Sequence, residues 1–210
     1  PTYFENGGQY NLSLSVWLQV LITWLPNSVW LTRGLPAILT LLFPLAGGLY
    51  LRDHLKARFW WLTPYLVSAI PAWFLHSRTA FETALGASLY CLFLFLYANY
   101  RLKDRRWLIP ALAAGALAFY SYSPLQLVVV LSGLIFLITD WRYHFSDPKN
   151  WLRGLAALVL LAAPYLFFRF THAEAFGQHL RIVHSYWVSG ISLFEKFGQF
   201  FWRWLKGFNP

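Results

Sequence analysis

Residues Thr79–Tyr100 read TAFETALGASLYCLFLFLYANY, and the stretch that follows, Arg101–Arg106, reads RLKDRR. The first is uncharged after Glu82 and has the length of a membrane crossing, which takes about 20 apolar residues. The second is a short basic cluster. Working outward, the same alternation recurs. Five further apolar runs lie at Gly34–Leu51, Phe59–Leu75, Trp107–Tyr122, Leu125–Thr139 and Trp151–Phe170. Several are short, Pro64 and Pro71 interrupt Phe59–Leu75, and Trp107–Tyr122 starts against Pro110 and stops before Pro124. Such helices suit positions surrounded by protein or lining a polar cavity, and the shorter ones are open to a re-entrant reading. The expectation is an all-α, polytopic membrane bundle of about six transmembrane helices over residues 34–170, with residues 1–32 and 171–210 as flanking loops of one membrane domain.

Composition agrees. Of the 210 residues 58% are hydrophobic, 20% aromatic and 12% charged, against roughly 25% charged in soluble domains. So little charge does not cover a water-soluble globule, and a soluble enzyme is excluded. The net charge of +9 does not read as a nucleic-acid footprint, because Lys and Arg sit in short clusters between apolar runs rather than on one face. The single cysteine, Cys91, reads as a small buried hydrophobe. The chain opens on Pro1 and has no Met, which reads as an internal piece of a longer protein.

Three connections are basic: Arg52–Arg58, Arg101–Arg106 and Arg142–Arg153. The alternate ones, His76–Arg78 and Tyr120–Pro124, are small and nearly uncharged. The positive-inside rule places the basic connections in the cytoplasm and both small turns outside. Two segments read as helices lying on the outer membrane face, Leu12–Leu25 and the aromatic, basic Ile191–Leu205, with a seventh span as the alternative for the latter.

That topology puts Ser77, Arg78, Glu82, Tyr120, Tyr122, His179 and Arg181 at or beyond the outer face. Arg78 and Glu82 are four apart and share a face of any helix that holds both. They read either as an intrahelical ion pair or as an Arg for a phosphate, oriented by Glu82. Tyr120-Ser121-Tyr122-Ser123-Pro124 reads either as an aromatic belt or as hydroxyls lining a pocket for a sugar or headgroup. His172 to His184 is dense in potential ligands but has no usual zinc spacing. Asn11-Leu12-Ser13 fits a glycosylation acceptor in a eukaryotic secretory setting.

In this order the stretches resemble the polytopic membrane glycosyltransferases of family 39, the protein O-mannosyltransferase and lipid A aminoarabinose transferase group, with the GT-C fold. The opening from Tyr3 through Leu25 looks like the end of that family's first outer loop. Trp30-Leu-Thr-Arg33-Gly-Leu-Pro36 leading to Gly48-Leu-Tyr-Leu-Arg52 resembles its "Arg-Leu-Pro-Ser … Tyr-x-Leu-x-Arg" helix. His76-Ser-Arg78-Thr-Ala-Phe-Glu82 and Leu117–Pro124 resemble two of its outer turns. Pro164–Arg181 resembles an apolar helix leading to an outer "His-Pro-Glu-x-Phe … Arg" region, with Ala173 where the family has Pro.

The resemblance implies transfer of a sugar from a polyprenyl-phosphate donor to a hydroxyl of a protein, lipid or glycan acceptor. It implies that Arg78 contacts the donor phosphate, with Ser77, Tyr120, Tyr122 and Arg181 around the substrate and Glu82 supporting. His179 is its candidate ligand for a divalent metal, although Gln178 replaces the Glu of the matching stretch. The family's catalytic acid lies in the first outer loop, upstream of Pro1, so the fragment alone is expected to be inactive. A bacterial inner membrane is the expected location. The alternatives are a non-catalytic membrane subunit and a transporter or flippase of lipid-linked substrates. The transporter reading calls for charges inside spans and two related halves, and the sequence shows neither.

Overall fold

The computed structural model describes residues 3–6, 9–12, 14–26, 28–78, 82–172 and 192–207. It opens with an antiparallel hairpin, β1 (Tyr3–Asn6) and β2 (Gln9–Leu12), with Asn6 opposite Gln9 and Tyr3 opposite Leu12. This small hairpin is an addition to the all-α expectation, which the helical bundle meets. Asn-Gly-Gly between two short runs is a hairpin composition, which a reading by apolar run length passes over. Every other regular element is helical.

Among the described residues three helices are long and apolar enough to cross a membrane. The first joins α2 (Val29–Thr40) to α3 (Leu42–Asp53) through Leu41, whose backbone stays α-helical. The second is α6 (Glu82–Leu102) and the third α10 (Pro148–Thr171). They lie on the expected runs Gly34–Leu51, Thr79–Tyr100 and Trp151–Phe170. Local chemistry sets their ends. Ser28 starts α2 by accepting from Leu31 N at 3.2 Å. Asp147 starts α10 by accepting from Lys149 N and Asn150 N. Both are N-caps that satisfy otherwise orphaned amides. Pro44 has no N–H to give to Thr40 O, and Ser88 Oγ of α6 donates to that carbonyl instead, at 3.3 Å.

The other expected spans are shorter or broken, and among the described residues six long crossings are not formed. α7 (Leu108–Ser121) has 14 residues and α8 (Ser123–Thr139) has 17. At 1.5 Å per residue these are about 21 and 25 Å, against a hydrocarbon core of about 30 Å. The run Phe59–Leu75 forms no single crossing helix. It divides into a 3₁₀ turn at Trp60–Leu62, α4 (Thr63–Ser68) and α5 (Pro71–His76), with Ile70 extended between the helices. Pro71 forces that break, since a residue before proline is driven out of the helical region. The segment folds back along α3, where a Cβ on Gly48 would lie 3.2 Å from Trp60 O. It climbs to the level of Thr40, whose Oγ1 reaches Ser77 O at 3.5 Å. Arg78 therefore sits level with the middle of the Val29–Asp53 helix, toward the end at which α6 begins.

α6 is the central element, and α7 packs along it. The α7 face against α6 is a small-residue stripe, Ala111, Ala114, Gly115 and Ala118, all buried. Such stripes let helix backbones approach closely where lipid offers no hydrophobic drive for association. One end of the bundle gathers all three basic connections. Lys103 reaches Asp53 at 2.6 Å, Arg101 reaches Asp140 at 2.7 Å and Arg105 reaches Asp147 at 3.3 Å.

At the opposite end, α1 (Leu14–Val20) lays Leu14 and Leu18 on the core of Leu85, Leu89 and Ala118. The short α9 (Trp141–Phe145) bridges α8 to α10 at the basic end. α11 (Leu193–Gly207) begins with a reciprocal cap, Glu195 N donating to Ser192 Oγ and Ser192 N to Glu195 Oε2. Its spacing puts Phe194, Phe197 and Phe201 on one side and Glu195, Gln199 and Lys206 on the other, as expected of a membrane-surface helix.

Candidate functional site

Toward the end opposite the basic connections lie five of the expected site residues, Ser77, Arg78, Glu82, Tyr120 and Tyr122, with Ser15 of α1 bonded to Glu82. Arg78 follows α5, is exposed, and places its guanidinium carbon 3.6 Å from the Phe74 ring centroid. That is a cation–π contact. Glu82 is the first residue of α6, where a carboxylate complements the helix dipole, and it accepts from Ser15 Oγ at 3.2 Å. The expected i,i+4 pairing is not what the structure shows. Arg78 precedes α6 rather than lying on it, and no ion pair joins it to Glu82 among the described residues. The two groups are held separately, one by an aromatic ring and one by a hydroxyl on α1. Ser77 takes part through its carbonyl, which accepts from Thr40.

The Tyr120 hydroxyl is engaged by the backbone of α10. It donates to Leu161 O at 2.8 Å and accepts from Tyr165 N at 3.1 Å. These two groups are bonded directly in a regular helix. At Pro164 the α10 ladder is disrupted, and the Tyr120 hydroxyl is inserted into the gap. Tyr120→Phe should therefore leave Tyr165 N and Leu161 O unpaired. The expected cost is about 1–2 kcal/mol of stability, read as a lower melting temperature of the detergent-solubilised protein, with Tyr122→Phe as the milder control. Tyr122 ends α7 in an extended conformation and leads into Ser123 and Pro124 at the start of α8. His179 and Arg181 lie outside the described residues, as does most of the His172–His184 stretch. No group of three or more His, Cys, Asp or Glu side chains comes together among the described residues.

A second polar cluster, which sequence reasoning missed, sits at the basic end. The Tyr97 hydroxyl donates to Asp140 Oδ2 at 2.7 Å, and Arg101 Nε donates to Asp140 Oδ1 at 2.7 Å. The buried His144 completes it. Nε2 stands 3.3 Å from Phe136 O, and Nδ1 stands 3.0 Å from the hydroxyl of Tyr100, a residue only 1% exposed. The neutral ring with its proton on Nε2 fits both partners. Burial pushes the Asp140 carboxyl up, but the hydrogen bonds from Arg101 and Tyr97 outweigh it and hold the group below the usual carboxylate range. Burial pushes the His144 imidazole below its usual value, opposed in part by the Phe136 carbonyl and Asp140. The signal was present as Tyr97-x-x-Tyr100-Arg101 and Asp140-x-x-Tyr143-His144 at the same ends of neighbouring helices. What it lacked was the packing that joins them.

No family model, curated protein or solved structure matches this chain. The likeness to the family 39 transferases thus rests on the quoted motifs and their order alone.

Proposed function

We propose that this chain is the membrane core of an enzyme that transfers a sugar from a polyprenyl-phosphate donor to a hydroxyl acceptor, at the end opposite the basic connections. In this reading the shorter helices complete about six crossings of a bacterial inner membrane, with the transfer end extracytoplasmic. The observation that carries it is Arg78: an exposed guanidinium braced on Phe74 at that end, in the turn that resembles the family's phosphate-contacting turn. Four of the eight carboxylates, Asp53, Asp104, Asp140 and Asp147, are in ion pairs at the other end. Among the described residues no carboxylate pairs with Arg78, and in this reading its guanidinium takes the donor phosphate.

The chemistry divides accordingly. The acceptor hydroxyl attacks the anomeric carbon, the bond from that carbon to the phosphate oxygen breaks, a carboxylate takes the hydroxyl proton, and polyprenyl phosphate departs. Arg78 stabilises the charge that collects on the departing phosphate. Glu82, fixed by Ser15, supports the acceptor side. By the resemblance, the base is the catalytic acid of the family's first outer loop.

A charge-assisted hydrogen bond to the departing group is worth about 1.5–3 kcal/mol. Arg78→Ala in the full-length protein should therefore slow transfer of labelled sugar from an undecaprenyl-phosphate donor roughly 10–100-fold, with Arg78→Lys intermediate and membrane expression preserved. Transfer at the unaltered rate by well-expressed Arg78→Ala would remove Arg78 from the mechanism and the proposal with it.

A further inference from the structure

The three basic connections, with Asp140 beside the last, hold ten Lys and Arg against four Asp. Each Asp is in an ion pair. Asp53 takes Arg52 and Lys103, Asp104 takes Arg106, Asp140 takes Arg101, and Asp147 takes Arg105. Lys103, Arg101 and Arg105 all leave the middle connection, so their pairs tie the other two to it and make the end one platform. The other five cations, Lys56, Arg58, Arg142, Lys149 and Arg153, are exposed and in no ion pair among the described residues.

Three of the five stand where local structure disfavours an unpaired cation. Lys149 is in the first turn of α10, where positive charge opposes the helix dipole. Arg153 lies four residues further along the same face, and a like-charged pair at that spacing repels. Lys56 follows α3 with a φ of 54°, in the left-handed region that glycine ordinarily fills. Its turn is closed by Ala57 N donating to Leu51 O at 3.0 Å. A bound anion relieves the repulsion and gives Lys56 a partner. Arg58 and Arg142 stand beside aromatic rings, 5.5 Å from the Phe59 centroid and 5.8 Å from that of Trp141. Both rings are more than half exposed, and exposed aromatics among cations suit the headgroup layer. The helices Val29–Asp53 and α6 end here and α10 begins here, and these are the three long enough to cross a membrane. The five cations therefore lie at headgroup depth.

We infer that the basic end is a binding surface for anionic phospholipid, with Lys56, Arg58, Arg142, Lys149 and Arg153 taking headgroup phosphates. Charge complementarity selects the occupant. The acids of this end are all spent on the platform, and a zwitterionic headgroup brings no net charge to meet the cations that remain, whereas an anionic leaflet does. Arg78 takes no part, so this inference and the transfer reading stand or fall separately.

The test reconstitutes the full chain in nanodiscs of equal phosphatidylglycerol and phosphatidylcholine and counts retained lipid by native mass spectrometry. The unaltered protein should retain phosphatidylglycerol in preference, and the preference should weaken as salt rises. Loss of one cation near an anionic leaflet lowers the attraction roughly fivefold. Lys149→Gln combined with Arg153→Gln should lower the preference at least that far, with helix content by circular dichroism unchanged. Lys56→Gly separates lipid binding from structure. Glycine suits that backbone, so the melting temperature in detergent should hold or rise while phosphatidylglycerol retention falls several-fold. Arg33→Gln, an exposed cation near the start of α2, should leave retention as it is. Equal retention of the two lipids by the unaltered protein would overturn the inference, as would an undiminished preference in the folded Lys149→Gln, Arg153→Gln protein. So would displacement of phosphatidylglycerol by equimolar polyglutamate, which would make this end a docking face for an acidic polypeptide.

Discussion

Gly86→Val should destabilise the bundle by about 3 kcal/mol, at the upper end of what overpacking a tight core costs. Gly86 lies on α6 where the α7–α8 corner presses against it. A Cβ there would stand 2.8 Å from Ser121 Oγ, 3.0 Å from Leu125 Cδ2 and 3.4 Å from Tyr122 Cβ. None of these yields easily. Ser121 is fully buried, with its hydroxyl bonded to Ala118 O at 2.7 Å, and the Tyr122 Cβ is fixed by the backbone of the corner. Valine adds two methyl groups to that space, so α6 and α7 must separate. The loss falls on the core of Leu85, Leu89 and Ala118 on which α1 rests, so Ser15 should also lose its hold on Glu82. The check is a thermal or denaturant melt in detergent beside Gly34→Ala, where a Cβ meets nothing within 4 Å and helix propensity gains up to about 1 kcal/mol. Equal melting of Gly86→Val and the unaltered protein would contradict the packing described.

What run length and charge can encode was legible from the residues, and contacts between distant residues were not. The three long helices and the shared end of the basic connections follow from apolar length and from where Lys and Arg fall. Pro64 and Pro71 marked the break in Phe59–Leu75. They could not tell that the broken segment stops at the level of Thr40, because that depth is fixed by its packing on Gly48 and Thr40, residues that run length does not distinguish. The spacing of Arg78 and Glu82 suggested one helix face, yet the helix begins at Glu82. Its first residue instead found Ser15, 67 positions earlier. Tyr120 was legible as a hydroxyl at a turn and illegible as the filler of a gap that Pro164 opens 44 residues later. At the basic end Asp140 reads as one acid before a loop until Tyr97, Arg101 and His144 are brought around it.

His144→Phe should cost about 2–3 kcal/mol, the price of leaving buried polar groups unsatisfied, and should also remove a pH dependence. The ring volume is nearly kept, but the buried Tyr100 hydroxyl loses its acceptor and Phe136 O loses a donor. The pH effect follows from the depressed imidazole. Its folded-state value lies below the unfolded value of about 6.5, because burial disfavours the cation more than Asp140 and the Phe136 carbonyl favour it. Above about pH 6.5 the ring is neutral in both states and its contribution to stability is complete. As pH falls below that value, the unfolded chain takes up a proton that the folded chain resists, so stability declines until the folded-state ring also titrates. Protonation places a hydrogen on Nδ1, facing the Tyr100 hydroxyl that donates to it in the neutral form. Asp140 acts lower on the scale: its carboxylate, held down by Arg101 and Tyr97, gives stability that is present above about pH 4 and is lost as pH falls through its depressed value. Melting temperatures between pH 7.5 and pH 5 separate the two groups. The unaltered protein should lose stability across that window, His144→Phe should be less stable at the top and nearly flat below, and Asp140→Asn should keep the slope that His144 provides. A slope in His144→Phe equal to that of the unaltered protein would assign the titration to another group.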